Sequence, residues 1–292
     1  MQRVILILVL VFMLGPAYGA NLGIQKNDGQ RDDMWIIHNN DQILTCYRFG
    51  AGQKYPYFFP VNAPKSGLSV TTDASLPYPH HRSLWFGCDR VNGYNFWQGG
   101  NDRGQIISQG PRVITAGPDK IHLHDTCLWT PPKQTPVMKD ERDIIVTMPS
   151  DAVWTLDFTI TLVPLVDVHI MRSNHSLFSA RMHPTLSVNQ DGHLVNAVGG
   201  QKEKGTAGQV AAWCHYYGDR GGQTEGLAIV DDPENLWYPS KWFTRDYGFF
   251  SPTNMNFVAD GLSLKKGQTL QFKYRVVVHS GSLNMETFLP DR

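Results

Sequence analysis

The stretch Trp154-Thr-Leu-Asp-Phe-Thr-Ile-Thr-Leu162 constrains this chain most, because apolar residues fill its even positions and Thr or Asp its odd ones. A period of two belongs to a pleated strand with one buried face, and a helix cannot use it. Leu270-Gln-Phe-Lys-Tyr-Arg-Val276 repeats the pattern. Shorter β-type runs lie at Trp35–Ile37, Ile43–Phe49, Val113–Ala116, Ile121–Leu128, Ile144–Met148, Val168–Ile170, Leu194–Val198 and Leu227–Val230. Beyond the N-terminal leader no segment sustains a 3.6-residue apolar period. Asn92-Gly93, Gly99-Gly100, Asp191-Gly192, Gly199-Gly200, Gly221-Gly222 and Asp260-Gly261 supply turns between the runs. The pattern predicts an all-β chain, a large antiparallel β-sandwich. A supersandwich of the galactose-mutarotase type suits the length better than an immunoglobulin-like one, which uses only about 100 residues.

Residues 1–19 read as a secretory signal peptide. One arginine, Arg3, precedes an apolar run from Val4 to Leu14, and Ala17 and Gly19 provide small residues for cleavage. That run is shorter than the roughly 20 residues needed to span a bilayer, and no later segment reaches that length, so the protein is expected to be secreted or periplasmic and not membrane-spanning. Residues 20–292 lack any linker-like stretch and read as a single domain. With 26 basic and 26 acidic side chains the chain is electrically balanced. No basic field points to nucleic acid. Cys46, Cys88, Cys127 and Cys214 are compatible with two disulfides or with buried free thiols, and their wide spacing is unlike a zinc knuckle.

Two segments resist the strand pattern and are dense in polar and aromatic groups, Tyr78–Trp97 and Asp232–Gly248. With Tyr57–Val61, Arg103–Ile106 and Trp213–Gly218 they resemble the PmoA-like family of secreted bacterial proteins, over most of the mature chain. The matching positions are His80, His81, Arg82, Trp85, Asn92, Gly93, Phe96 and Trp97, then Arg245, Asp246, Tyr247 and Gly248. The sequence departs from the family at Tyr78 and at Asp231–Asn235. The resemblance implies a secreted β fold and a place in carbohydrate degradation. The family label also speaks of a methane oxygenase, an activity whose known subunit crosses the membrane many times, and no segment after residue 19 has that length.

The residues themselves suggest sugar chemistry. His80 and His81 follow Pro79, which stiffens the backbone, and a histidine near neutral pKa serves as acid or base. Adjacent strand residues face opposite ways, so one of the two is expected to face a pocket and the other to pack. Arg82 could clamp a carboxylate. Arg245-Asp246-Tyr247 adds a cation, a carboxylate and a phenol, with Asp246 and Tyr247 as further acid/base candidates. Arg181 and His183 would share a strand face if that segment is extended. Trp85, Trp97, Trp213, Tyr216 and Trp242, with Asn92, complete the expected binding set, since aromatic faces stack on sugar rings. His122 and His124 share one strand face and could chelate a metal if a third ligand arrives from elsewhere, but no cofactor is expected.

These readings predict a glycan substrate and cleavage of a glycosidic bond by a glycoside hydrolase, with elimination by a polysaccharide lyase a close alternative. A pair of carboxylates at the site would favour hydrolysis. A histidine, tyrosine and arginine set would favour elimination from a uronic acid, because removing a proton beside a carboxylate needs charge neutralisation. A noncatalytic glycan-binding protein and a metal-dependent oxygenase are the remaining readings. The segments Pro79–Trp97 and Trp237–Gly248 are expected to meet in one site, because neither alone carries an acid, a base, an anion clamp and an aromatic wall.

Overall fold

Two large antiparallel sheets face each other in the computed structural model, which describes residues 19–27, 33–100 and 102–290. The leader falls almost wholly within residues 1–18, outside the described residues. The first sheet has eight strands in the order Leu22–Asn27, Met34–Asn39, Gln42–Arg48, Tyr57–Val61, Leu84–Cys88, Ser176–Arg181, Phe249–Ser251, Phe243–Arg245. The second runs His193–Asn196, Trp213–Arg220, Gln223–Asp231, Leu270–Ser280, Val153–Pro164, Met138–Ser150, Lys120–Thr130, Gln105–Ser108, with Arg112–Gly117 also pairing Lys120–Thr130. A small third sheet joins Val168–Ile170 to Leu262–Leu264. The expected all-β sandwich is what the chain forms, and no helix among the described residues is long and apolar enough to cross a membrane.

The alternating segments sit in the second sheet. Leu156, Phe158, Ile160 and Leu162 are buried, while Asp157, Thr159 and Thr161 lie on the outer face, where Asp157 pairs with Arg275 of the neighbouring strand. Across the core, Phe58, Phe86 and Phe178 of the first sheet meet Phe158, Phe272 and Tyr274 of the second. The Phe158–Phe178 and Phe178–Tyr274 centroids are 5.0 Å apart. Burying each such side chain contributes roughly 1.5–3 kcal/mol. All four cysteines are buried, and Cys88, Cys127 and Cys214 are thiols and not disulfides in this structure.

Leu84–Cys88 and Ser176–Arg181 are buried at every position. Their even residues Leu84, Phe86, Phe178 and Ala180 face the inter-sheet core, so the odd residues Trp85, Ser179 and Arg181 point out of the sandwich. Loops then cover that second face. Gly87 lies opposite Leu177, and a Cβ there would come 3.2 Å from the carbonyl oxygen of Phe96. A side chain at residue 87 would push away the Phe96-Trp97 loop that roofs Trp85.

Candidate functional site

The register of the first sheet assembles the site. Trp85 lies opposite Tyr57 on one side and Ser179 on the other, and Arg181 lies opposite Phe249. These side chains form a patch on the sheet face turned away from the core. The loop before Leu84 drops His81 onto this patch, with its ring 4.8 Å from Phe249 and 5.9 Å from Trp85. Tyr78 stacks over His81 at 5.1 Å, and His80 meets His81 edge-on at 4.5 Å.

From the other segment, Tyr247 packs 4.8 Å from Tyr78 and covers the Arg181 guanidinium, whose carbon is 4.4 Å from the ring centroid. Gly248 then turns the chain back into the sheet at φ +104, against Met182. The two distant segments therefore do meet, through Tyr247 and not through Trp237 or Trp242. His175 and Trp97 close the far side. Their rings stack at 5.7 Å, His175 lies 5.5 Å from His80, and its Nδ1 is 3.9 Å from Asp89 Oδ2.

What marks this face is unfulfilled hydrogen bonding. His80 Nε2, His81 Nδ1, Trp85 Nε1, Trp97 Nε1, Ser179 Oγ and both Nε and Nη1 of Arg181 are buried with no hydrogen-bond partner among the described residues. They make up seven of the eleven such side-chain atoms, so the deficit is local. Buried polar atoms normally find partners, and each that does not costs about 1–3 kcal/mol.

Arg181 is the extreme case. It is 2% exposed and has no ion pair among the described residues, and burial lowers its pKa against the opposing pull of Tyr247, Tyr216 and Tyr78. Arg142, 1% exposed in the second sheet, shows the ordinary arrangement: its Nε and Nη2 donate to Asp140 Oδ1 and Oδ2 at 2.7 and 3.0 Å. Trp129 Nε1 also donates to Asp140. One buried guanidinium is matched to a carboxylate; the other presents its fork to none.

Burial first, then the charges of His80, Arg181 and His175, pushes the His81 pKa down to about 2, so its imidazole is neutral. His80 is also lowered, by burial and then by His175 and Arg103. The Tyr247 phenol goes the other way, raised to about 12 chiefly by burial, and stays protonated. Neither the Tyr78 nor the Tyr247 hydroxyl has a hydrogen-bond partner among the described residues. His80 opens onto a shallow cleft of about 450 Å³ with Pro79, Gln98, Gly99 and Arg103.

The nearby carboxylates are engaged elsewhere. Asp73 ion-pairs with Arg82 at 3.1 Å and accepts the Tyr57 hydroxyl, so Arg82 braces the loop. Asp246 Oδ1 accepts from the Glu203 backbone N–H at 2.7 Å, and Arg245 Nη1 donates to Glu203 Oε1 at 2.9 Å. Arg245 and Asp246 thus tie the short helix Lys202–Thr206 to the sheet, with the Tyr216 hydroxyl bonded to the Arg245 carbonyl. Glu203, which the sequence did not single out, is the hinge of this corner.

Other expected residues lie apart from the patch. Asn92 closes a turn on Asp167 and His169, and His183 caps a 3-10 turn through Thr185. Trp242 is in the core, its indole N–H on the Ala211 carbonyl, and Trp213 belongs to another face beside His215. His122 and His124 do share a strand face, where they bond to Asp143 and Glu141. No group of three or more His, Cys, Asp or Glu among the described residues is disposed to hold a metal. Four members of the patch, Tyr78, Ser179, His175 and Phe249, were not foreseen. Only Tyr78 carried a signal, as an aromatic residue directly before Pro79.

Comparison with known proteins adds little detail. No curated protein matches the chain. Among solved structures, a provisionally assigned aldose 1-epimerase of Escherichia coli K12 is 12% identical, covering 90% of this chain and 100% of its own at a TM-score of 0.35. A galactose mutarotase related enzyme of Lactobacillus acidophilus is 10% identical, covering 88% and 97%, at 0.28. The galactosidase domain of an α-galactosidase-sucrose kinase is 9% identical, covering 88% and 41%, at 0.39. Likenesses this distant assign no activity. A family model, by contrast, matches residues 35–288, and the chain belongs to that family, the family of unknown function DUF6807.

Proposed function

We propose that the protein acts on an acidic glycan and cleaves it by elimination, with Arg181 binding the carboxylate of a uronic acid residue. The observation that carries this reading is the buried Arg181 fork, with which no carboxylate pairs among the described residues. Hydrolysis uses two carboxylates flanking the scissile bond. Here Asp73, Asp246 and Glu203 are each committed to structural partners. A neutral histidine, a protonated phenol and a bare guanidinium are the set that elimination requires.

The roles follow from the opposed pKa shifts. Arg181 pairs with the substrate carboxylate and neutralises the charge that develops on it, which acidifies the proton on the adjacent carbon. His80, neutral and open to the cleft, takes that proton. The electron pair left behind forms a carbon–carbon double bond as the bond to the glycosidic oxygen breaks. Tyr247 supplies the proton to the departing oxygen. His81, held neutral, serves as a hydrogen-bonding wall, and Tyr78 and Trp97 supply aromatic surfaces near the sugar.

Incubating the mature protein with a panel of uronic acid and neutral glycans tests this directly. The expected result is an unsaturated, ultraviolet-absorbing product from at least one uronic acid glycan, with turnover retained at pH 6.5 and lost only at lower pH, because burial keeps His80 unprotonated below the ordinary histidine value. Saturated products, or turnover confined to neutral glycans, would refute it.

A further inference from the structure

A second cleft, of about 540 Å³, shares Gly99 and Arg103 with the opening at His80 and extends to Lys54 and Lys133. We propose that it binds the neighbouring acidic sugars of a polymeric substrate, so that the protein engages a polyanionic chain of several residues and not a single uronic acid. This rests on the elimination reading for what occupies the site next to it.

The charge distribution argues for an anion. The chain has formal net charge +0, yet among the described residues this cleft is lined by three cations and by no aspartate or glutamate. Asp102, at its rim, is 87% exposed and lies 3.9 Å from Arg103 Nε. A concave surface of one sign focuses potential and attracts the opposite charge. Lys54 is held in place by the carbonyls of Asn95 and Gly104, and burial and Arg103 lower its pKa to about 8. Asp102 and Asp89 offset only part of this lowering, and a bound anion would relieve the rest.

The floor suits an extended ligand. Gly52, Gly99, Gly100 and Gly104 line it, and a Cβ built at Gly99 would meet nothing within 4 Å. A sugar chain can lie against bare backbone there. Arg103 sits at the junction, its Nη1 on Gln98 Oε1 at 2.8 Å, near enough to His80 to depress that histidine's pKa. A chain anchored at Arg181 and passing His80 would leave the first site over Gly99 and Arg103, heading for Lys54 and Lys133.

The test is a titration of full-length mature protein with alginate, polygalacturonate, hyaluronan and neutral dextran at low and high salt. The wild type is expected to bind at least one of the three polyanions, more weakly as salt rises, and not dextran. Arg103→Ala with Lys133→Ala should weaken that affinity by about tenfold, as two partly exposed charges would. Lys133→Glu, at an exposed position, should do the same in direction without risk to the fold. Binding to none of the polyanions, equal binding to dextran, or unchanged affinity in the variants would overturn the proposal. Polyanion affinity that depends on Arg103 and Lys133 but yields no unsaturated product would retain the cleft and refute the elimination reading.

Discussion

Arg181→Met should abolish turnover while leaving the fold as stable as before, or more so. Removing a group that stabilises developing charge in an enclosed site typically lowers the rate by about 100-fold to 1,000-fold. The stability side is more diagnostic. The guanidinium is buried and its Nε and Nη1 lack partners, so its desolvation is offset only by the Tyr247 face, an interaction of about 0.5–2 kcal/mol. Replacing even well-paired buried ions with apolar groups of similar volume is often neutral or stabilising by about 1–4 kcal/mol. Arg142→Met provides the contrast. It would strand Asp140 without its cation, at 0% side-chain exposure, and should destabilise by about 3–5 kcal/mol. Denaturant midpoints of the two variants check the pair of signs. If Arg181→Met proved as destabilising as Arg142→Met, Arg181 would be a structural residue.

Acid should destabilise the protein early, beginning near pH 6.5. His81, His215 and His279 are buried with depressed pKa values, the latter two sharing a 2.8 Å contact between their Nε2 atoms. The sign follows from proton uptake. In the unfolded chain each histidine protonates as pH falls through about 6.5, while in the folded protein His81 resists until about 2. Between those values the unfolded state binds more protons, so stability is lost as pH drops, by about 1.4 kcal/mol per unit for His81 alone. Asp231, raised to about 6 by burial, acts oppositely over the upper part of that window. With three histidines acting in this direction, the net expectation is a loss of stability between pH 6.5 and 4.5. Denaturant melts across that range measure it, and His81→Phe should flatten the slope. A flat profile in the wild type would show that His81 is protonated in the folded protein.

How legible the molecule was depended on whether a strand had one wet face. Trp154–Leu162 and Leu270–Val276 lie in the second sheet, whose outer face meets solvent, and their alternation is plain. Leu84–Cys88 and Ser176–Arg181 are roofed by loops, so every position is buried and no period of two appears. Those two hidden strands carry the site. Composition did flag the Pro79–Trp97 segment, and the pairing with Tyr247 was readable as chemistry. Which member of Arg245-Asp246-Tyr247 faces the patch was not, because that depends on Glu203 and the short helix drawing Arg245 and Asp246 aside. Arg181 was noticed only as one of several charges. Nothing in sequence distinguishes it from Arg142; the distinction is the presence of Asp140 beside one and of no carboxylate beside the other.

On the proposed reading, Arg181 waits for a carboxylate from the substrate. Comparing an acidic oligosaccharide that the protein turns over with the same oligosaccharide after its carboxyl groups are reduced to alcohols tests this most directly, since shape and hydroxyls are preserved. The acidic form should be preferred in kcat/KM by about 100-fold or more, the scale for one charge-matched contact in an enclosed site. That preference should vanish in Arg181→Met. Equal turnover of the two forms by the wild-type protein would contradict the claim.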